Sequence, residues 1–143
     1  MSDRTIDDED YRRLLAFRDG VRRFLHWSED QARAVGLTAA QHQLLLAIRG
    51  HVGEGQSVGG SPAPTIGDVA GHLLVRHHSA VELIGRAEAA GLVSRHTDQH
   101  DLRVVRLSLT DDGKRRLQQL SALHLEELRR LQPMLSPLWA GLP

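Results

Sequence analysis

The sequence predicts a mainly α-helical protein with one small β-hairpin, an α+β fold class. Apolar residues recur at steps of three and four in five segments, which is the spacing of amphipathic helices. Between the fourth and fifth segments, two short strand-like runs lie on either side of a polar tip, as in a β-hairpin. Aromatic residues make up 3% of the chain, so leucine, valine, isoleucine and alanine must build the core.

Length, composition and charge limit the possible functions. A chain of 143 residues fits a single domain. Because it has no cysteine, disulfides, thiolate metal sites and thiol redox switches are excluded. The acidic N-terminus lacks the layout of a secretory signal and no apolar run reaches membrane-spanning length, so we expect a cytoplasmic protein without a membrane partner. The formal net charge of zero argues against a non-specific nucleic-acid coat, but the arginines that run through the middle of the chain allow a local basic patch.

The first predicted helix runs from about Asp8 to Ala34. Gly20 lies inside it and costs about 1 kcal/mol relative to alanine. A long amphipathic helix at a terminus has to bury its apolar seam, which consists of Leu14, Phe17, Val21 and Phe24.

The second predicted helix begins at a capping box, in which the side chains of Thr38 and Gln41 each satisfy a backbone N–H of the first turn. It continues to about Arg49 and turns three side chains inward: Leu44, Leu45 and Ile48. The segment from His51 to Pro64 is rich in glycine, serine and proline and has no apolar periodicity. We expect a flexible loop there.

Two short helices joined by a tight turn at residues 74–76 are predicted next. The first begins at a Thr65–Asp68 capping box and buries one stripe, formed by Ile66, Val69, Ala70 and Leu73. The second runs from about His77 to Ala90 and ends at Gly91, a residue that readily adopts the left-handed conformation. Its buried side consists of Ala80, Leu83, Ile84 and Ala87.

The predicted hairpin has strands at residues 92–96 and 105–109 and a polar tip at residues 97–102. Thr110, followed by two acidic residues suited to the helix dipole, begins a fifth helix. We expect Pro133 to interrupt this helix and an apolar tail to follow. The helix carries a stripe made of Leu120, His124, Leu128 and Leu131.

Two helices with a tight turn, followed by a hairpin, form a winged helix-turn-helix, in which the second helix of the pair enters the DNA major groove. Imidazole, hydroxyl and guanidinium groups suit phosphates and base edges. A carboxylate meets phosphate repulsion, so we expect Glu82 to pair with Arg86, four residues on. The candidate reading residues, which point away from the buried stripe, are His77, His78, Ser79, Val81, Glu82 and Arg86.

Six motifs follow one another in a fixed order: Leu37-Thr-x-x-Gln41, Thr65-Ile66-x-Asp68-Val69-Ala70-x-x-Leu73, His78-Ser79-Ala80-Val81, Gly91-Leu92-Val93-x-Arg95, Asp101-x-Arg103 and Leu107-Ser108-Leu109-Thr110-x-x-Gly113. Each motif alone is weak. Their ordered succession resembles the MarR family of winged-helix transcriptional regulators, over about residues 8–132.

The resemblance implies one domain, with a winged helix-turn-helix at about residues 37–113 and dimerisation helices at about residues 8–34 and 111–142. It implies a non-enzymatic homodimer that binds double-stranded DNA at a pseudo-palindromic operator and represses transcription. It also implies a small amphipathic or phenolic effector that lowers DNA binding, in a cleft where Trp27 and His42 are the candidate lining residues.

The resemblance also assigns the wing. Arg103 is implied to reach the minor groove while Asp101 holds it in place. The chain departs from the family pattern at Glu82, where a basic or neutral polar residue is common, and at Leu102, where a second arginine is usual. Both departures reduce sequence-independent affinity for DNA.

Two alternatives stay open at this stage. A winged helix without DNA affinity, acting as a protein-interaction module, is compatible with Glu82 and the neutral net charge. A metal-responsive regulator would use histidines among His72, His77, His78, His96 and His100, but their spacing gives no converging tetrahedral set, so we expect no metal and no cofactor. We expect no catalytic site either, because Ser79 lacks the partners of a nucleophile and residues 53–60 lack those of a phosphate loop.

Overall fold

The computed structural model describes residues 4–52 and 63–142, which form five α-helices, two β-strands and a short 3-10 helix. The predicted fold class is confirmed. The helices are α1 (Asp8–Ala34), α2 (Ala39–Gly50), α3 (Ile66–Leu73), α4 (His77–Ala89) and α5 (Asp111–Leu135); the strands are β1 (Val93–Thr97) and β2 (Val105–Leu109); the 3-10 helix is Ser136–Leu138. Most of the predicted loop, residues 53–62, lies outside the described residues.

The two predicted capping boxes are present, and α1 begins at a third. Thr38 and Gln41 exchange hydrogen bonds at the start of α2, as do Thr65 and Asp68 at the start of α3. Asp7 caps α1 in the same way, through Asp10. These reciprocal bonds satisfy N–H groups that a helix leaves without partners, and so fix where each helix begins.

The core is a single aliphatic cluster between α2, α3, α4, the hairpin and the first half of α5. The inward side chains predicted for α2 are buried, and Val69, Ala80 and Ile84 are fully buried on the facing sides of α3 and α4. The strands pair antiparallel from Val93 opposite Leu109 to Thr97 opposite Val105. Packing of α3 and the hairpin against α4 leaves one side of α4 facing outward.

Gly113 explains the Thr110-x-x-Gly113 motif. Thr110 caps α5, donates its hydroxyl to the Gly91 carbonyl at 2.6 Å and donates its N–H to the Leu92 carbonyl at 3.0 Å. These bonds hold α5 so close to the backbone of Leu92 that a Cβ at position 113 would lie 2.2 Å from the Leu92 oxygen. Only glycine fits this contact.

The terminal helices differ from the prediction at Pro133. Within the described residues the apolar seam of α1 is only partly covered, since Leu14 is 61% exposed and Phe17 44% exposed whereas Phe24 is half-buried. Pro133 does not interrupt α5, which continues to Leu135. A proline so near the end of a helix removes a single N–H donor, and the helix stops two residues later in any case. A Cβ at Gly20 would lie 3.4 Å from the side chain of Leu135, an ordinary van der Waals contact, so packing does not require glycine at this position.

Candidate nucleic-acid interface

The outward side of α4 carries the predicted reading residues. His77, His78, Glu82 and Arg86 are exposed, while Ser79 and Val81 are half-buried at the edges of the helix's buried side. The turn before α4 is fixed by Leu74, which has a left-handed φ of 54°. The buried stripe of α4 and this turn together aim the exposed side of the helix away from the core.

Glu82 and Arg86 lie one helical turn apart, as expected for a pair. The Arg86 Nη2 atom lies 4.0 Å from a Glu82 carboxylate oxygen, and the two side chains are 75% and 67% exposed. An exposed ion pair at this distance contributes little to stability. Arg86 therefore keeps the freedom to leave Glu82 for another anion.

The wing presents Arg103 at its tip. The Arg103 side chain is 90% exposed, but its Nε and Nη2 atoms donate to the two carboxylate oxygens of Asp101 at 3.1 and 3.2 Å. The Arg103 N–H also donates to Asp101, at 3.0 Å. These hydrogen bonds lower the pKa of Asp101, the side-chain bond from Arg103 most of all. A bidentate contact of this kind restricts the orientation of an otherwise free guanidinium.

Sequence reasoning missed two residues of the wing, Asp98 and Arg106. Arg106 donates Nε to an Asp98 oxygen at 2.6 Å, and this hydrogen bond is the first cause of a pKa for Asp98 lowered to about 2. The sequence offered one signal: Asp98, three residues before Asp101, suits a turn in which a carboxylate accepts backbone N–H groups.

Comparison with known proteins points to one family. Residues 35–103, from the end of α1 to the wing arginine, match the family model of the MarR family. The winged-helix part of the chain therefore has the sequence pattern of the MarR family. This match supports the predicted transcription regulator, a class of proteins that are not enzymes. No curated protein matches the sequence.

Solved MarR-family structures have the same fold. AbsC, a MarR family transcriptional regulator from Streptomyces coelicolor, is 22% identical, with a TM-score of 0.68 over 89% of this chain and 80% of AbsC. A MarR family protein from Bacillus stearothermophilus is 19% identical, with a TM-score of 0.71 over 90% of this chain and 83% of that protein. The Staphylococcus aureus MepR–DNA complex is 19% identical, with a TM-score of 0.65 over 82% of this chain and 80% of MepR.

The winged helix meets the terminal helices at a cluster of aromatic and imidazole rings. The ring of His124 on α5 lies 4.8 Å from the rings of both Trp27 and His42, and 5.8 Å from that of Phe24. His124 Nδ1 lies 2.7 Å from the Leu120 carbonyl, which only accepts, so Nδ1 donates. In the neutral ring Nε2 then accepts from the Ser28 hydroxyl, at 2.6 Å.

The structure brings Trp27 and His42 to this cluster, but in different settings. His42 is buried, with 7% of its surface exposed. Trp27 is half-buried and borders an open hollow lined also by Arg22, Arg23, His26 and Asp30. Sequence reasoning placed His124 only in an apolar stripe and missed its contacts, because they depend on the packing of α5 against α1 and α2.

The free energy of unfolding is expected to decrease as pH falls, because of the buried His42. Burial, and secondarily the neighbouring His124, lower the pKa of His42 from its ordinary value of 6.5. The unfolded chain then binds a proton more readily than the folded one, so stability is full above the unfolded pKa and decreases as pH falls below it, by at most about 1.4 kcal/mol per pH unit.

Urea unfolding between pH 7.5 and 5.5 measures this dependence. His42→Gln should flatten the decrease in stability, whereas His96→Gln, which changes an exposed ring on β1, should leave it unchanged. An unaltered slope in His42→Gln would show that His42 is not its source.

The described residues give little support to the alternative of a metal-responsive regulator. His51 Nδ1 and His72 Nε2 lie 2.9 Å apart, and His51 Nε2 lies 3.6 Å from the Asp68 carboxylate. Within residues 4–52 and 63–142, no group of three or more histidine or acidic side chains is arranged to hold a metal ion.

In that same part of the chain, no helix is long and apolar enough to cross a membrane.

Proposed function

We propose that this regulator binds operator DNA in the cytoplasm as a homodimer and represses transcription. The observation that carries the proposal is the joint exposure of the α4 reading face and of Arg103, held by Asp101 at the wing tip. A helix sized for the major groove and an arginine aimed outward from an adjacent hairpin provide two separate contacts on one face of DNA. MepR, which shares the fold, has been solved in complex with DNA.

In this proposal His77, His78, Ser79, Val81, Glu82 and Arg86 face the major groove, and Arg103 enters the minor groove. Arg86 exchanges its weak contact with Glu82 for a phosphate or a guanine edge. The Glu82 carboxylate then either accepts from a cytosine amino group or reduces affinity.

The homodimer is supported by the uncovered apolar surface of the terminal helices. Monomeric soluble proteins rarely expose large contiguous apolar patches. A two-fold interface would bury this surface against the same surface of a second copy. We accordingly propose residues 8–34 and 111–142 as the dimerisation helices of a single-domain chain, with the winged helix at residues 37–113. The exposed apolar side chains include Leu14, Leu15, Phe17, Val21, Leu25, Leu125, Leu128, Met134 and Trp139.

The hollow beside Trp27 is the proposed effector site. An indole face next to two arginines and His26 suits a small amphipathic or phenolic compound, which can stack on the ring and direct its oxygen to a cation. Its position next to the cluster around His124 would let a bound compound alter how the terminal helices meet the winged helix.

Selection from a randomised duplex pool tests the function. We expect enrichment of an inverted repeat whose half-sites are centred about 10 to 10.5 base pairs apart, because a two-fold dimer places its reading helices one DNA turn apart. Enrichment of a single half-site would contradict the dimer. No enriched sequence at all would contradict DNA reading and favour the protein-interaction alternative, for which Glu82 is the motivating residue. The enriched duplex then serves as the assay for effector release.

A further inference from the structure

Arg106 differs from the other wing arginine in its surroundings. Its side chain is 23% exposed and that of Asp98, its partner at 2.6 Å, is 15% exposed, whereas Arg103 is almost fully exposed. A guanidinium enclosed in this way is committed to protein partners. Arg106 is therefore not available to neutralise a DNA phosphate.

Arg106 also joins the hairpin to the chain that leads into α3. Its Nη1 donates to the Ala63 carbonyl at 2.6 Å, and it forms an isolated β-bridge with Thr65, the N-cap of α3. The next residue of β2, Leu107, donates its N–H to the Pro64 carbonyl at 2.9 Å. The root of the wing is thus tied to the first helix of the helix-turn-helix.

Asp98 links Arg106, at the root of the wing, to the backbone of the wing tip. While one of its oxygens binds Arg106, the other accepts the N–H groups of His100 and Asp101, at 3.0 and 2.9 Å. Asp98 also donates its own N–H to the Val104 carbonyl at 2.9 Å, which closes the turn. Asp101, placed by these bonds, is the residue that holds Arg103.

We infer that Asp98 and Arg106 are positioning residues for DNA recognition: their ion pair fixes the wing to the helix-turn-helix and so sets where Arg103 is presented. The inference rests on the proposed DNA-binding function. Arg106 is suited to the role because its planar fork reaches a carboxylate and a carbonyl together, which the single ammonium of a lysine does less well.

The substitution Asp98→Asn distinguishes a positioning role from a simple effect of charge on DNA binding. The substitution removes a negative charge from the wing, so electrostatics alone predict tighter binding to DNA. Positioning predicts the opposite: we expect operator affinity, measured by fluorescence anisotropy, to fall about tenfold. The matched control is Asp111→Asn, which removes a charge from an exposed aspartate at the start of α5 and should leave affinity unchanged or slightly tighter.

A double-mutant cycle with Arg103→Ala provides the readout that a general loss of stability would not produce. If Asp98 acts through Arg103, Asp98→Asn should have little further effect once Arg103 is absent. Additive losses of affinity, or wild-type affinity in Asp98→Asn, would overturn the inference.

Should Asp98→Asn fail to fold, Arg106→Lys is the second variant, because it preserves the charge. Weaker binding at an unchanged salt slope would support positioning, and wild-type affinity would overturn it. If the wild-type protein binds no operator, the proposed function itself has failed.

Discussion

Replacing Gly113 with alanine is expected to lower the free energy of unfolding by about 3 kcal/mol, the upper end of the usual cost of overpacking. The new Cβ would lie 2.2 Å from the Leu92 carbonyl oxygen, well inside van der Waals contact. The obstacle is backbone, held by a hydrogen bond from the Thr110 N–H, so it cannot rotate away as a side chain would. Relief requires α5 to move from the junction of α4 and β1.

Urea unfolding followed by circular dichroism at one fixed protein concentration measures this loss. Gly71→Ala is the matched control, since Gly71 is also helical but a Cβ added there would have no neighbouring atom within 4 Å. It should raise stability by about 0.4 to 1 kcal/mol, because alanine reduces the entropy of the unfolded chain. Equal unfolding midpoints for Gly113→Ala and the wild type would contradict the close approach of α5 to Leu92.

Arg103→Ala is expected to weaken binding to the selected operator by about 10- to 100-fold, the cost of losing one specific groove contact. Arg103 is an exposed cationic side chain at the wing tip, and Asp101 already holds it in one orientation, so little entropy is lost when it meets DNA. Its removal also leaves the Asp101 carboxylate without its partner near the phosphates. Fluorescence anisotropy at several salt concentrations measures both affinity and the salt slope.

Leu102→Ala provides the control at the neighbouring position. Leu102 is 83% exposed and carries no charge, so its truncation should leave operator affinity close to that of the wild type. The helical content and melting temperature of Arg103→Ala should also match the wild type. Equal losses in both variants would indicate a general disturbance of the hairpin, and an unchanged affinity in Arg103→Ala would contradict the minor-groove assignment.

The elements that the sequence predicted well are those specified by local chemistry. The capping boxes at Thr38 and Thr65 place the starts of α2 and α3 because each uses side chains three residues apart. Gly91, with φ +75°, follows the end of α4 for an equally local reason. The reading face of α4 could be predicted because the opposite stripe is apolar at helical spacing.

What escaped prediction depends on contacts between distant segments. Arg106 finds the Ala63 carbonyl 43 residues earlier in the chain, and Ser28 meets His124 across 96 residues. No spacing rule links such positions. Pro133 was misjudged for a different reason, since a proline removes one N–H donor without by itself ending a helix, and α5 continues for two residues beyond it.

The imidazole of His124 has a mechanical consequence for the whole molecule. It belongs to α5, contacts α1 through Trp27 and Ser28, and contacts α2 through His42. All three helices therefore meet at this one ring, and none of them can slide along its neighbours without displacing it. A small rotation of α1 and α5 should therefore be transmitted to α2. From α2 it should pass to the rest of the winged helix as a rigid-body tilt with little internal deformation.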